Sequence, residues 1–574
     1  MAGLVLGPMA RWASTSEATV WVETDAACEV TVTPQRGEPD SERTFEVEGH
    51  HYAIVRVGGL PEDAATPYTV TLDGEQVWPQ AGSPFPPSTL RTHSPRGPAR
   101  IVFGSCRVAY PHEPPWSLRP DESDCGRELD ALRAIALRMA RSDPHEWPHI
   151  VLLLGDQVYA DEVSPDTLEF IRRRRDTSTP PGETIADFEE YTQLYREAWS
   201  DPPIRWLLST VPSAMIFDDH DVIDDWNTSI DWVRDIRAQP WWNRRITGGF
   251  MSYILYQHWG NLAPEALEED EIYQQVKAAG DGGRLLSEYA YRSDREIDGV
   301  RWSYCRDIAA SRIVMIDSRA GRVLTPGARS MVDGGEWQWI TEHTRGDFNH
   351  LIIGTSLPLI MAPAMHYLEA WNEAVCDGAW GRVAARLGEK LRQGADLEHW
   401  AAFNDSFVAM CELLRGVGAG RRGEAPASII VLSGDVHHAY LAEVAFPKGS
   451  GVRSRVWQAT CSPFRNPLSR RERLGIRFGF SRAGERIGRA LAHAAGVPPA
   501  PVRWRFQDGD PRFDNQVGTL ELHGASANAR LERSIPSDRG DSHPHLEVAD
   551  EHPLTQDGAS PRSPARASPD RMAS

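Results

Sequence analysis

Apolar residues along this chain fall into two regimes. Over residues 1 to about 94 they alternate with polar ones, as in Ala18-Thr19-Val20-Trp21-Val22, Glu29-Val30-Thr31-Val32, His51 to Val57 and Tyr68-Thr69-Val70-Thr71-Leu72. A period of two, with frequent turn residues, predicts a small antiparallel sandwich of immunoglobulin or fibronectin type over 1–94. Ser83-Pro84-Phe85-Pro86-Pro87 and Ser94-Pro95-Arg96-Gly97-Pro98 mark a linker. From 99 to 525 continuous Ile, Val and Leu runs alternate with helical stretches such as Cys125 to Arg141 and Ile246 to Leu262. That alternation predicts an α/β domain with buried strands. The Trp-rich, acidic stretch 225–300 breaks the pattern and is expected to be a mainly helical insertion. Residues 526–574, rich in Ser, Pro, Asp and Arg, are expected to form a disordered tail.

Several apolar runs stop abruptly in polar, metal-binding residues. Ile101-Val102-Phe103 leads into Gly104-Ser105-Cys106-Arg107, and Val151 to Leu154 into GDQVYAD (155–161). Ala214 to Phe217 leads into Asp218-Asp219-His220-Asp221, and Ile429 to Leu432 into SGDVHHA (433–439). Arg312 to Ile316 ends in Asp317-Ser318-Arg319, and His350 to Ile353 in Gly354-Thr355-Ser356. Buried strands that deliver polar groups at their carboxyl ends place a ligand site there. Asp, His, Cys and Tyr converging from several strand ends have the composition of a metal site.

Composition narrows the partners. The 574 residues carry a formal net charge of −20, which argues against general affinity for nucleic acid or an anionic membrane, although a local basic pocket is compatible with it. No apolar stretch reaches the roughly 20 residues of a membrane span. MAGLVLGPMARW has no signal-peptide pattern, so a cytoplasmic location is expected. Seven cysteines without a CxxC pair argue against a disulfide framework.

The chemistry such strand ends support is hydrolysis of a phosphate ester by a metal-bound hydroxide, in a site whose two ions sit ~3.5–4 Å apart. Asp156 is the candidate bridging carboxylate, and Tyr159 reaches the same ion if the loop begins a helical turn. A phenolate and a thiolate, from Tyr159 and Cys106, favour Fe(III). A second site with Asp219 and Asp435 beside Asp156 is all oxygen and favours Ca²⁺ or Mg²⁺. Asp218 is expected to support Asp219, while Asp221, Asp224 and Asp225 fit either a supporting or a surface role. His437 and His438 point to opposite sides of an extended strand end. The ligand role falls to His437, leaving His438 to face the phosphate or support the site. Arg107 and Arg319 are candidates to bind phosphate oxygens, with structural salt bridges as the competing reading.

GSCR, GDQVYAD, DDHDVIDDW, IDSR and SGDVHHA, in this order, resemble the PhoD-like alkaline phosphatases of the calcineurin-like metallophosphoesterase superfamily. The likeness spans roughly residues 99–525 and extends to GEWQWI (335–340). It implies a four-layer α/β sandwich behind an N-terminal β-domain. It implies Fe³⁺ held by Cys106, Asp156, Tyr159 and His437, and Ca²⁺ at Asp156, Asp219 and Asp435, other divalent metals being possible. His220 would donate a proton to the leaving group. The implied substrate is a small phosphate monoester or diester. A dedicated phospholipase-like or nucleotide phosphodiesterase is the alternative within enzymes, and a non-catalytic scaffold the alternative outside them. Retention of the whole ligand set argues against the scaffold.

Overall fold

The computed structural model describes residues 1–296, 300–507 and 509–555. The N-terminal region is all β, as two packed sheets. One orders Leu4–Ala13, Ala18–Thr24, His50–Val57 and Phe45–Val47; the other is built around Glu29–Pro34 and Ala65–Leu72. The alternation seen in Ala65–Leu72, every second residue buried, puts Tyr68, Val70 and Leu72 into the core with Val20, Val22 and Val55.

The larger part is a four-layer α/β sandwich. A six-stranded sheet orders Ser213–Met215, Ile150–Leu153, Ala99–Gly104, Gln516–His523, Ser526–Ile535 and His545–Pro553. A seven-stranded sheet orders Tyr304–Ile308, Ser311–Ile316, His350–Thr355, Ser428–Ser433, Arg455–Thr460, Tyr440–Ala445 and Arg503–Phe506. Each sheet contains a run of adjacent parallel strands, Ser213–Met215, Ile150–Leu153 and Ala99–Gly104 in one and Ser311–Ile316 through Arg455–Thr460 in the other; their burial is why their sequences are rich in unbroken Ile, Val and Leu. Ile101, Phe103, Leu152, Ile313, Ile352 and Ile430 fill the space between the sheets. Helices cover the outer faces.

The chain beyond 525 departs from the expected tail. Ser526–Ile535 and His545–Pro553 extend the six-stranded sheet in antiparallel register. Ala527, Ala529 and Leu531 alternate inward, and small or polar neighbours hid this pattern in the sequence. Residues 556–574 lie outside the described residues.

The segment 225–300 contains Ile230–Arg237, Trp242–Ser252, Pro264–Glu269, Glu271–Ala278 and Gly283–Ser293 as helices. It packs on the N-terminal sandwich and also reaches the strand-end loops, where Arg245 donates to the Ala160 carbonyl at 2.6 Å. Trp21 Nε1 donates to the Leu255 carbonyl at 3.0 Å, and Trp259 packs edge-on against Phe45. Arg11, fully buried, donates to the Gln257 carbonyl at 2.6 Å and to Asn261 at 3.1 Å.

His50 adds an ionic link between the sandwich and the larger α/β part, bonding Glu23 and Glu189 at 2.9 Å each. Burial opposes its charge, but the two carboxylates outweigh burial and raise its pKa to about 9. The imidazolium therefore stabilises the fold fully below its unfolded pKa of about 6.5 and ceases to do so as pH rises through about 9. The contribution is on the order of 1–3 kcal/mol. His50→Gln should be less stable to urea than the parent near neutral pH, with the gap closing towards about pH 10. A gap that persists unchanged at alkaline pH would refute the link.

Candidate metal centre

The site is built where the parallel strands of both sheets end. Cys106, Asp156, Asp435 and His437 follow their strands directly, and all four adopt left-handed backbone, with φ of 55°, 51°, 66° and 51°. Four such non-glycine residues around one point mark a place where local strain is held by the surrounding structure. Two glycines make the approach possible. A Cβ on Gly155 would meet Asp218 at 2.6 Å, and one on Gly434 would meet Ser105 Oγ at 2.2 Å.

Ligand-type atoms of Cys106, Asp156 and His437 lie within 4.8 Å of one another, as do those of Asp156, Asp218 and Asp219. Asp156 is common to both groups. Cys106 Sγ is 3.2 Å from Asp156 Oδ2, and the Tyr159 hydroxyl is 3.4 Å from the same oxygen. The structure thus brings Cys106, Asp156 and His437 together, with the Tyr159 hydroxyl beside them. The second group differs from expectation: Asp218 takes the third place. Asp435 is turned aside, with Oδ1 accepting from Arg319 at 3.0 Å and Oδ2 facing His399 Nε2 at 3.2 Å.

Arg319 is fully buried among carboxylates. It contacts Asp218 and Glu398 at 2.5 Å, Asp435 at 3.0 Å and Asp219 at 3.1 Å. The salt-bridge reading of this arginine is the one the geometry displays, and its guanidinium has no donor left that is not beside an acid. Arg107 is likewise committed, to Asp130 at 2.9 Å and the Ala198 carbonyl at 2.8 Å. Its expected role in holding phosphate is therefore not what the structure displays. His438 points into an aromatic cluster of Tyr440, Phe480 and Phe513, with Nδ1 on the Val436 carbonyl at 2.6 Å. That placement is structural rather than phosphate-facing.

His220 lies over the Tyr159 ring, with centroids 4.6 Å apart, and its Nδ1 is 3.0 Å from Asp161. Burial works against its charge, but Asp161, with Asp219 and Asp156, raises its pKa well above the ordinary value. Asp161 thereby fixes this imidazole in one orientation at the edge of the carboxylate group. Asp221 accepts from the backbone of Val158 and Asp218, so it shapes the loop. Asp224 lies 3.6 Å from His220, and the Asp225 backbone donates to Asp219 at 3.0 Å.

The carboxylates are out of balance without a cation. Burial and the Cys106 thiol push Asp156 well above the ordinary range, and burial lifts Asp219 to about 7. Burial, then Asp435, pushes the Cys106 thiol up to about 12. Asp156 Oδ1, Asp218 Oδ2 and Asp219 Oδ1 are buried and accept no hydrogen bond, although Asp219 Oδ1 has Arg319 beside it. Unpartnered buried carboxylate oxygens are costly, and a bound cation both partners them and reverses the pKa shifts. The donor set fits a metal pair.

Sequence reasoning missed the stretch Asp396 to His399. His399 bridges Glu369 at 2.6 Å and Asp435 at 3.2 Å, and Glu398 pairs with Arg319 and Arg322. The only signal was an acidic residue and histidine side by side, without an apolar strand before them.

Two sheets packed face to face, with their acidic loops meeting at one edge, make this a metallophosphoesterase-type fold. More particularly, the chain resembles the PhoD-like phosphatases. The PhoD-like phosphatase family profile matches residues 133–281, and a domain of unknown function (DUF7800) matches residues 1–90. The solved structure of PhoD is similar at a TM-score of 0.57 and 11% identity, covering 98% of this chain and 93% of that one. A purple acid phosphatase, PPD1, from yellow lupin (Lupinus luteus) seeds gives a TM-score of 0.47 at 11% identity, covering 94% of this chain and 73% of its own. No curated protein matches in sequence. The profile match over residues 133–281 and the fold shared with the PhoD structure set the chain beside these phosphatases.

Proposed function

We propose that the chain hydrolyses small phosphate mono- or diesters using two cations. One would be held by Cys106, Asp156, Tyr159 and His437, and the other by Asp156 with Asp218 and Asp219. A thiol and a phenol favour Fe³⁺ at the first position, and an all-carboxylate set favours Ca²⁺ or another hard divalent ion at the second. The single observation that carries the reading is the buried, unpartnered Asp156 Oδ1 at the junction of both groups. When bound, the cations supply Lewis-acid charge at the phosphoryl group and a lowered water pKa. The protein's own part is positional. Asp156 sets the spacing of the two groups, Asp161 holds His220 in one orientation, and His220 delivers a proton to the departing oxygen. Arg319 and His399 hold Asp435 near the site without occupying the first group.

The test is hydrolysis of one chromogenic monoester and one diester by purified protein, together with elemental analysis. Tyrosinate on ferric iron should tint the protein. Brief chelation should remove the labile divalent ion and the activity while iron remains, with calcium restoring the rate better than zinc. A colourless protein that contains zinc alone and is fully active in excess chelator would overturn the metal assignment. Failure on both esters with metal bound would overturn the activity.

A further inference from the structure

We propose that the helices Gly381–Gly394, Arg470–Phe480 and Arg482–Ala494 form a docking face for an anionic lipid surface. These three helices carry six of the eleven exposed large apolar side chains among the described residues. Val383 is 74% exposed, Leu387 64%, Leu474 60% and Ile487 55%. An exposed apolar cluster of this kind is what an interaction site requires and what folding alone does not explain.

Each exposed apolar residue has a cation directly before it. Arg382-Val383, Arg386-Leu387 and Lys390-Leu391 recur at intervals of four along one helix; Arg473-Leu474, Arg477-Phe478 and Arg486-Ile487 repeat the device on the other two. On a helix this spacing runs an apolar stripe alongside a basic one. Residues 470–494 hold seven arginines against two glutamates, in a chain whose net charge is −20. Arg382, Arg386, Lys390, Arg471, Arg482 and Arg486 have no ion-pair partner among the described residues.

The inner faces are fixed by small residues. Gly388, Gly484 and Gly488 are buried against the helix Pro363–Cys376. The Trp380 indole donates to the Ala494 carbonyl at 3.2 Å, tying the first helix to the third. The large side chains are therefore presented outward by a firm base, not left over from a loose core. Paired apolar and basic stripes are the signature of a helix lying in the plane of a membrane interface. A second copy of the chain would set one basic stripe against another. Nucleic acid would use the cations and leave Val383, Leu387, Leu474 and Phe478 exposed. The face adjoins the metal centre: Phe480 packs on His438, next to His437, and Glu369 of the supporting helix holds His399.

The test is flotation of the full chain with vesicles of phosphatidylcholine alone and with about one-third phosphatidylglycerol, at low salt. Binding is expected to the anionic vesicles only, and to weaken with salt. The paired change Arg386→Glu and Arg486→Glu should lower partition by about 25-fold or more, at roughly fivefold for each cation lost. Leu387→Ser with Phe478→Ser should lower it about tenfold or more. All four positions are exposed, and an unchanged thermal melt identifies folded variants; if a pair misfolds, the single changes serve in its place. Absence of flotation with anionic vesicles overturns the proposal. So does flotation indifferent to the apolar pair, retention of RNA without lipid binding, or a stable dimer dissolved by Leu387→Ser.

Discussion

Replacing Asp156 with alanine is expected to empty the site and stop turnover together. Its two oxygens face different neighbours: one is approached by Cys106 and Tyr159, and the other is buried with no donor. Both ligand groups contain it, so no neighbouring residue substitutes for it. Lewis-acid stabilisation of a phosphoryl transition state is worth several kcal/mol, so the rate should fall about 10³-fold or more. Elemental analysis should show both metals reduced. His220→Ala provides the contrast: metal retained, rate lowered by roughly 10²–10⁴, and the deficit smallest for esters whose leaving groups need little protonation. An Asp156→Ala protein with full metal content would show that the carboxylate is not shared. Equal losses across leaving groups would remove His220 as the acid.

The second large effect concerns Arg319. Its guanidinium is the only cation in direct contact with Asp218, Asp219, Glu398 and Asp435 together among the described residues. Arg319→Met keeps much of the length and removes the charge. Breaking a buried pair by deleting one partner costs about 3–5 kcal/mol, because the surviving charges stay uncompensated. A drop of that size in urea stability is expected in metal-free protein. The remaining carboxylates should then take up protons, so the deficit should shrink as pH falls through the carboxylate range. Metal-free Arg319→Met as stable as its parent at neutral pH would show that the acids are already protonated in the native protein.

The parallel core strands were legible because burial on both faces leaves an apolar run with an abrupt polar end. Cys106, Asp156, Tyr159 and His437 were legible because each follows such a run closely in the chain. Residues that act from helices were not. His399 sits after a helix and beside Trp400, where nothing in the local pattern separates a ligand-holding histidine from a surface one. Asp435 was placed at the right loop, but its partners, Arg319 and His399, are set by packing between distant segments. Arg107 follows Cys106 directly, yet its direction is set by Asp130 on another element. The strands after 525 were missed because one face carries small residues and the other Arg and Glu.

Those late strands bear on the order in which the molecule can be assembled. Ala99–Gly104 carries the Cys106 loop, with Ile150–Leu153 on one side and Gln516–His523 on the other. Its inner partner is local in the chain and its outer partner comes from the far end. Such long-range pairing is slow to form and waits on synthesis of more than 400 further residues. A nascent or truncated chain ending before residue 516 keeps the Ala99–Gly104 strand as an open edge, with unpaired backbone groups beside Ile101 and Phe103. Closure of this edge is thereby coupled to synthesis past residue 523, and a chain that stops earlier exposes a strand prone to edge-to-edge aggregation.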